Sequence, residues 1–153
     1  MKKIFLLISF FIGVSTNAQE NVSKLDWLLD FDEALSQSEK EHKPILIYFT
    51  GSDWCAPCKM LKEDFFSTSE FEARSKNMVL LLVDIPRKVD VISKEQKEKN
   101  MKLVSIYNKK GGYPNLVAVN SHGKVIGELG GYTFLRETDR HFAFVDSVIE
   151  NYQ

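Results

Sequence analysis

The chain has 153 residues, of which 44% are hydrophobic and 27% charged, with 8 Gly, 4 Pro and a net charge of −1. This composition excludes collagenous, low-complexity and wholly disordered chains, and the near-neutral balance supplies no electrostatic reason to expect nucleic acid as a partner. A domain of this size buries a core without metal or disulfide staples, so the two cysteines, Cys55 and Cys58, are free for another role.

In chain order, Lys2 and Lys3 precede the apolar run Ile4–Ile12, broken only by Ser9, and then come Gly13–Thr16 and Asn17-Ala18-Gln19. That order fits a secretory signal peptide cleaved after Ala18, and the run is too short for the roughly 20 residues that span a bilayer. The expected division is a signal peptide over 1–18 and one domain over 19–153. No Cys follows the apolar run, so the usual lipid-attachment site of an exported lipoprotein is missing. Cleavage removes two of 20 basic residues against 21 acidic ones and leaves a net charge of 18 − 21 = −3. The expected location is the periplasm or the exterior, with no stable membrane insertion after cleavage. Disulfides persist there, so the oxidation state of Cys55 and Cys58 becomes a functional variable.

Phe31, Ala34 and Leu35 lie on one face of a predicted short helix over Asp32–Glu41, which Lys43-Pro44 stops. Ile45–Thr50 is a continuous β-branched and aromatic run, as in a strand buried on both faces. Gly51-Ser52-Asp53 turns, and the spacing of Cys58, Leu61 and Phe65 continues as a helix. Ser69 with Glu72 reads as a capping box that starts a further short turn. Met78–Val83 is a second buried strand. The charged segment Arg87–Asn100 alternates in sign and reads as a solvated face, with Ser93 and Gln96 capping a helix that runs to Tyr107. Asn115–Val119 and Lys124–Leu129 flank the turn Asn120–Gly123 and form a hairpin. Phe142, Val145, Ile149 and Tyr152 stripe a terminal helix. The predicted fold class is therefore α/β: a mixed central sheet with helices on both faces, parallel strands joined by helical crossovers and an antiparallel edge from the hairpin.

Trp54-Cys55-Ala56-Pro57-Cys58-Lys59 falls where the first buried strand gives way to a helix. Cysteines two residues apart close a small ring reversibly. Unpaired N–H groups and the helix dipole at that end stabilise a thiolate, so Cys55 is the expected nucleophile. Cys58, one turn inward, is expected to be more buried and to resolve a mixed disulfide formed on Cys55. Pro57 sits in the first turn, where its missing N–H costs nothing.

These residues resemble the thioredoxin superfamily, and most closely its exported single-domain members related to the periplasmic thioredoxin domain of thiol:disulfide interchange proteins. The match runs through Ile45–Thr50, the Trp54–Lys59 motif, the strand ending at Val83-Asp84, Tyr113-Pro114 before a strand, and Gly123 and Gly130-Gly131. It covers nearly all of Asp26–Gln153. The resemblance implies a thioredoxin-like fold, a redox-active Cys55–Cys58 disulfide, and a cis bond before Pro114, packed against that disulfide. It also implies substrate contacts from Pro114, from the backbone of Tyr113 and, shared with a packing role, from Trp54. The expected activity is exported thiol–disulfide exchange on protein disulfides, in the reducing direction because Ala-Pro resembles the Gly-Pro of reducing members. The partners would be protein disulfides and an upstream membrane electron donor or acceptor, with no cofactor.

Two positions depart from the family. Its buried Asp and Lys, which help move the proton of the second cysteine, are here Tyr48 and Leu80. A Tyr with a pKa of about 10 is no base near neutral pH, which leaves water, the substrate, or an acid such as Asp53 or Glu63. His42, His122 and His141 lack metal-ligand spacing to the cysteines, so no metal site is expected. Phe65, Phe66 and Phe71 read as core. Two other functions fit the motif: a soft-metal carrier holding copper(I) between two thiolates, and a binding module whose redox site is vestigial.

Overall fold

A computed structural model describes residues 25–152. The expected signal peptide lies outside the described residues. Among those described, no helix is long and apolar enough to cross a membrane.

The elements run β1 (Trp27–Leu28), α1 (Phe31–Glu41), β2 (Ile45–Thr50), α2 (Ala56–Leu61), a π-helical turn (Lys62–Phe66), α3 (Ser69–Ser75), β3 (Val79–Asp84), α4 (Lys94–Tyr107), β4 (Asn115–Val119), β5 (Val125–Gly130) and α5 (Asp139–Tyr152). Five strands form one mixed sheet in the order β1-β3-β2-β4-β5. β1, β3 and β2 are parallel, while β4 runs antiparallel to both β2 and β5. The expected mixed sheet and antiparallel hairpin edge are both present.

The unbroken apolar run of β2 follows from burial on both faces. Leu46 and Tyr48 point to one side with Leu80, Leu116, Leu61, Phe65, Phe71 and Val145, which belong to β3, β4, the Cys58 helix, α3 and α5. Ile45, Ile47 and Phe49 point to the other with Val79, Leu81, Ala34 and Leu103, so α1 and α4 cover that face. Each fully buried Leu, Ile or Phe contributes about 1.5–3 kcal/mol relative to exposure, which makes this two-sided strand the centre of the fold.

Three local expectations are corrected. The two-residue strand β1 was not predicted, because so short an element carries no period to detect; it joins the sheet by pairing with Leu80 and Leu81. The helix after the cysteines does not stay α-helical. Its π turn inserts one extra residue, and the neighbours Phe65 and Phe66 are consequently both buried, at 0% and 3% exposure. The α3 cap is Thr68 rather than Ser69: Thr68 Oγ1 accepts the Phe71 N–H at 3.2 Å, and Ser69 is already helical. The cap at α4 is as expected, with Ser93 Oγ accepting the Gln96 N–H at 3.0 Å. The Gln96 side chain does not close the box and instead bonds Leu29 O and Asn100.

Candidate functional site

Strand directions bring four loops to one end of the sheet. β2 and β3 are parallel and both end there, at Thr50 and Asp84. β4 starts there, since Asn115 lies opposite Phe49, and β5 ends there, since Gly130 lies opposite Asn115. The motif, Tyr113-Pro114 and Gly131 are thereby gathered from segments far apart in sequence.

Cys55 is the N-cap of α2. Its own N–H donates to Gly51 O at 2.8 Å, closing the turn, and its Sγ accepts the Cys58 N–H at 3.2 Å. Pro57 occupies the first helical turn as expected. Cys55 and Cys58 are joined in a disulfide. Both are buried, at 4% and 2% exposure. Cys58 is the more buried of the two, as expected, but by a margin too small to separate their roles. The asymmetry lies in the hydrogen bond, which points a helix N-terminal N–H at Cys55 Sγ and would stabilise a thiolate there once the bond is reduced.

Trp54 stands beside the disulfide, half-buried and held on three sides. Its Nε1 donates to Ile85 O at 2.8 Å, its ring meets Tyr113 edge-on at 5.5 Å, and the Arg87 guanidinium lies over it at 4.4 Å. The peptide bond before Pro114 is cis, as the resemblance implied. Pro114 O accepts the Gly131 N–H at 2.8 Å, tying the β4 entrance to the β5 exit. Asn108, Asn115 and Glu128 brace the segment before it. Asn115 Nδ2 donates to both Asn108 Oδ1 and Glu128 Oε1 at 3.1 Å, and Asn108 Nδ2 donates to Gly112 O at 2.9 Å.

Behind Cys58 the structure answers the question raised by Tyr48 and Leu80. Tyr48 is buried, and its hydroxyl donates to Cys58 O at 3.1 Å. Burial pushes its pKa up to about 12, so it braces the helix and takes no proton near neutrality. Leu80 faces the core, opposite Leu46 across the sheet. The two acids considered in their place are engaged elsewhere. The Asp53 carboxylate accepts the N–H groups of Lys88, at 2.9 Å, and Arg87, bonds that hold its pKa below the usual carboxylate range. Glu63 pairs with Arg136 at 3.3 Å.

Cys58 opens on a cleft of about 560 Å³ with an apolar floor that includes Trp27, Tyr48, Phe66 and Leu82. Asp84, only 8% exposed, lines the same cleft and accepts both the N–H and the hydroxyl of Ser52, at 2.8 and 2.5 Å. Sequence reasoning assigned neither Asp84 nor Arg87 to the site, because each reaches it from 25 or more residues beyond the motif. The only linear hint was that Asp84 closes an otherwise apolar strand. Among the described residues, no group of three or more His, Cys, Asp or Glu is placed to hold a metal ion.

The family model described as thioredoxin-like matches residues 26–121. The chain belongs to the thioredoxin-like family. It is similar to the disulfide bond reductase DsbH of Chlamydia pneumoniae, 36% identical over 109 residues that make up 71% of this chain and 64% of the relative. The thioredoxin-related protein DsbJ of the same organism is 30% identical over 79 residues, 48% of this chain and 23% of the relative. The matches thus span less than two thirds of these relatives' own lengths. Among solved structures, a DsbH oxidoreductase superposes with a TM-score of 0.71 at 28% identity, covering 97% of this chain and 95% of that one. A disulphide isomerase from Xylella fastidiosa, at 22% identity and a TM-score of 0.52, shares the fold.

Proposed function

We propose that the protein is an exported thiol–disulfide oxidoreductase that reduces protein disulfides through Cys55 and Cys58. The observation that carries this reading is the Cys58 N–H directed at Cys55 Sγ at a helix N-cap, on the end of the sheet where the cis Tyr113-Pro114 bond also lies. In the reduced protein the Cys55 thiolate attacks one sulfur of a substrate disulfide, forming a mixed disulfide and expelling the other substrate sulfur as a thiolate. The Cys58 thiolate then attacks Cys55 Sγ, closes the intramolecular disulfide and releases the second substrate thiolate. Two electrons pass to the substrate, and an upstream dithiol must return them. Tyr113 and Pro114 offer backbone to an extended substrate segment, and Trp54 offers an aromatic wall. With Tyr48 unable to act as base, the Cys58 proton leaves through water in the cleft shared with Asp84.

Residues 1–18 act as the export signal, and residues 19–153 form the mature domain. The likeness to the disulfide bond reductase DsbH favours reduction over oxidation as the physiological direction.

Insulin reduction tests the reading. Cys55→Ser should abolish turnover and form no adduct. Cys58→Ser should also stop turnover yet accumulate a mixed disulfide on Cys55, because attack survives and only release is lost. Equal trapping by both variants would overturn the division of labour. Failure of the wild-type protein to reduce insulin would remove the enzymatic reading.

A further inference from the structure

The three most exposed large apolar side chains among the described residues are Val89 at 90%, Phe134 at 79% and Leu135 at 75%. Exposed apolar residues scattered singly are ordinary; these three share one end of the sheet. Val89 follows β3, and Phe134 and Leu135 follow β5, so both loops leave the same end of the sheet as the cysteines. In the order β3-β2-β4-β5 they lie on either side of the motif and Pro114.

Both loops are fastened to the site. The Val89 loop is held where Asp53 accepts the N–H groups of Arg87 and Lys88 and where Arg87 covers Trp54. The Phe134-Leu135 loop starts from the Gly131 bond to Pro114. It is then pinned to the π turn six residues past Cys58. Tyr132 Oη donates to Asp64 Oδ2 at 2.6 Å, and the Arg136 guanidinium grips both Asp64 oxygens. Arg136 adopts a left-handed backbone, φ 57°, to reach them. The loop therefore holds Tyr132 and Arg136 onto Asp64 and leaves the two residues between Thr133 and Arg136 exposed to solvent.

We infer that Val89 and the Phe134-Leu135 tip form a two-sided apolar grip for the polypeptide that carries the substrate disulfide. The inference rests on the proposed oxidoreductase reading and names its substrate class: an extended segment with apolar residues on both sides of its cystine. The scale is consistent with this occupant. The roots of the two loops are three strand spacings apart, roughly 14 Å at about 4.8 Å each, which about four residues of extended chain cross. Continuity with the redox end favours such a segment over other apolar partners, since the exposed apolar pair at the other end of β5, Val125 and Ile126, is only 47% and 43% exposed.

The test compares kcat/KM of the full mature protein for insulin and for bis(2-hydroxyethyl) disulfide, which is too small to reach either loop. Phe134→Ala/Leu135→Ala should lower kcat/KM for insulin about ten-fold through KM, with Val89→Ser adding to the loss, while the small disulfide is reduced at the wild-type rate. Met101→Ala/Ile106→Ala, which removes exposed apolar groups from α4, should change neither. Unchanged insulin kinetics in the double variant would overturn the grip, as would equal losses on both substrates. It would also fall if the double variant abolished a wild-type dimer seen by sedimentation, or abolished binding to phosphatidylcholine–phosphatidylglycerol vesicles, since the tips would then serve a second copy or a lipid surface. If wild-type protein reduces neither disulfide, the oxidoreductase reading fails first.

Discussion

Gly51 lacks a side chain because Trp54 occupies the place one would take: a Cβ there would lie 2.3 Å from the indole Cε2. Gly51→Ala must therefore push the ring off its bond to Ile85 O and out from under Arg87. The expected cost is about 1–3 kcal/mol, the range for overpacking, with a change in tryptophan fluorescence. Chemical denaturation followed by that fluorescence measures both. The hydroxyl of Tyr48 makes a contrasting case, since it donates one bond to Cys58 O and cannot exchange a proton near pH 7. Tyr48→Phe should lose about 0.5–1.5 kcal/mol of stability and leave the pH dependence of turnover unchanged. A displaced pH–rate profile would assign Tyr48 a part in proton transfer. For the reduced protein, the Cys58 N–H aimed at Cys55 Sγ predicts that Cys55 is alkylated by iodoacetamide with a pKa below the free-thiol value of about 8.5. Faster labelling of Cys58 would contradict the placement.

At the scale of elements, the segment after the motif does two jobs that a uniform α-helix could not combine. Its α-helical first part caps at Cys55, and its π turn lets both Phe65 and Phe66 enter the core while Asp64 meets Tyr132 and Arg136. The next helix depends on Thr68. Thr68→Ala should destabilise the protein by about 1 kcal/mol, whereas Ser69→Ala should change it by a few tenths at most, because Ser69 caps nothing. Thermal unfolding of the two variants side by side decides the matter. The capping-box pattern points to Ser69, which has Glu72 three residues on, whereas the true cap, Thr68, has Phe71 in that place. Only the backbone geometry, extended at Thr68 with φ −91° and ψ 150°, tells them apart.

For the molecule as a whole, acid stability should follow His141. It is 1% exposed in α5, packed against Phe65 and Tyr132, and its Nδ1 has no hydrogen-bond partner. Burial, reinforced by the charge of Arg140, pushes its pKa down to about 4. Above about pH 6.5 the ring is neutral in both folded and unfolded chains and the effect is nil. As pH falls from 6.5 towards 4 the unfolded chain takes up the proton and the folded one resists, so stability declines by at most about 3 kcal/mol. His141→Phe, of similar shape, should flatten that decline in urea unfolding at pH 7.5 and pH 4.5. An unaltered slope would place the acid sensitivity in the carboxylates instead.

The order of the helices and of the four longer strands, the two-sided burial of Ile45–Thr50 and the reactive pair at a strand-to-helix junction were all set by local sequence, because periodicity, turn residues and helix-end electrostatics act within a few residues. The family resemblance further implied the cis bond before Pro114. The tertiary structure alone decided what surrounds those atoms. Asp84 and Arg87 reach the motif from the end of a neighbouring strand, Tyr132 and Arg136 reach Asp64 from 68 and 72 residues away, and Asp53 is occupied by the backbone of the loop after β3. None of these partnerships follows a period or a spacing. They arise because parallel and antiparallel pairing brings four loop ends to one edge of the sheet, and the free energy that selects that pairing is spread over the whole core.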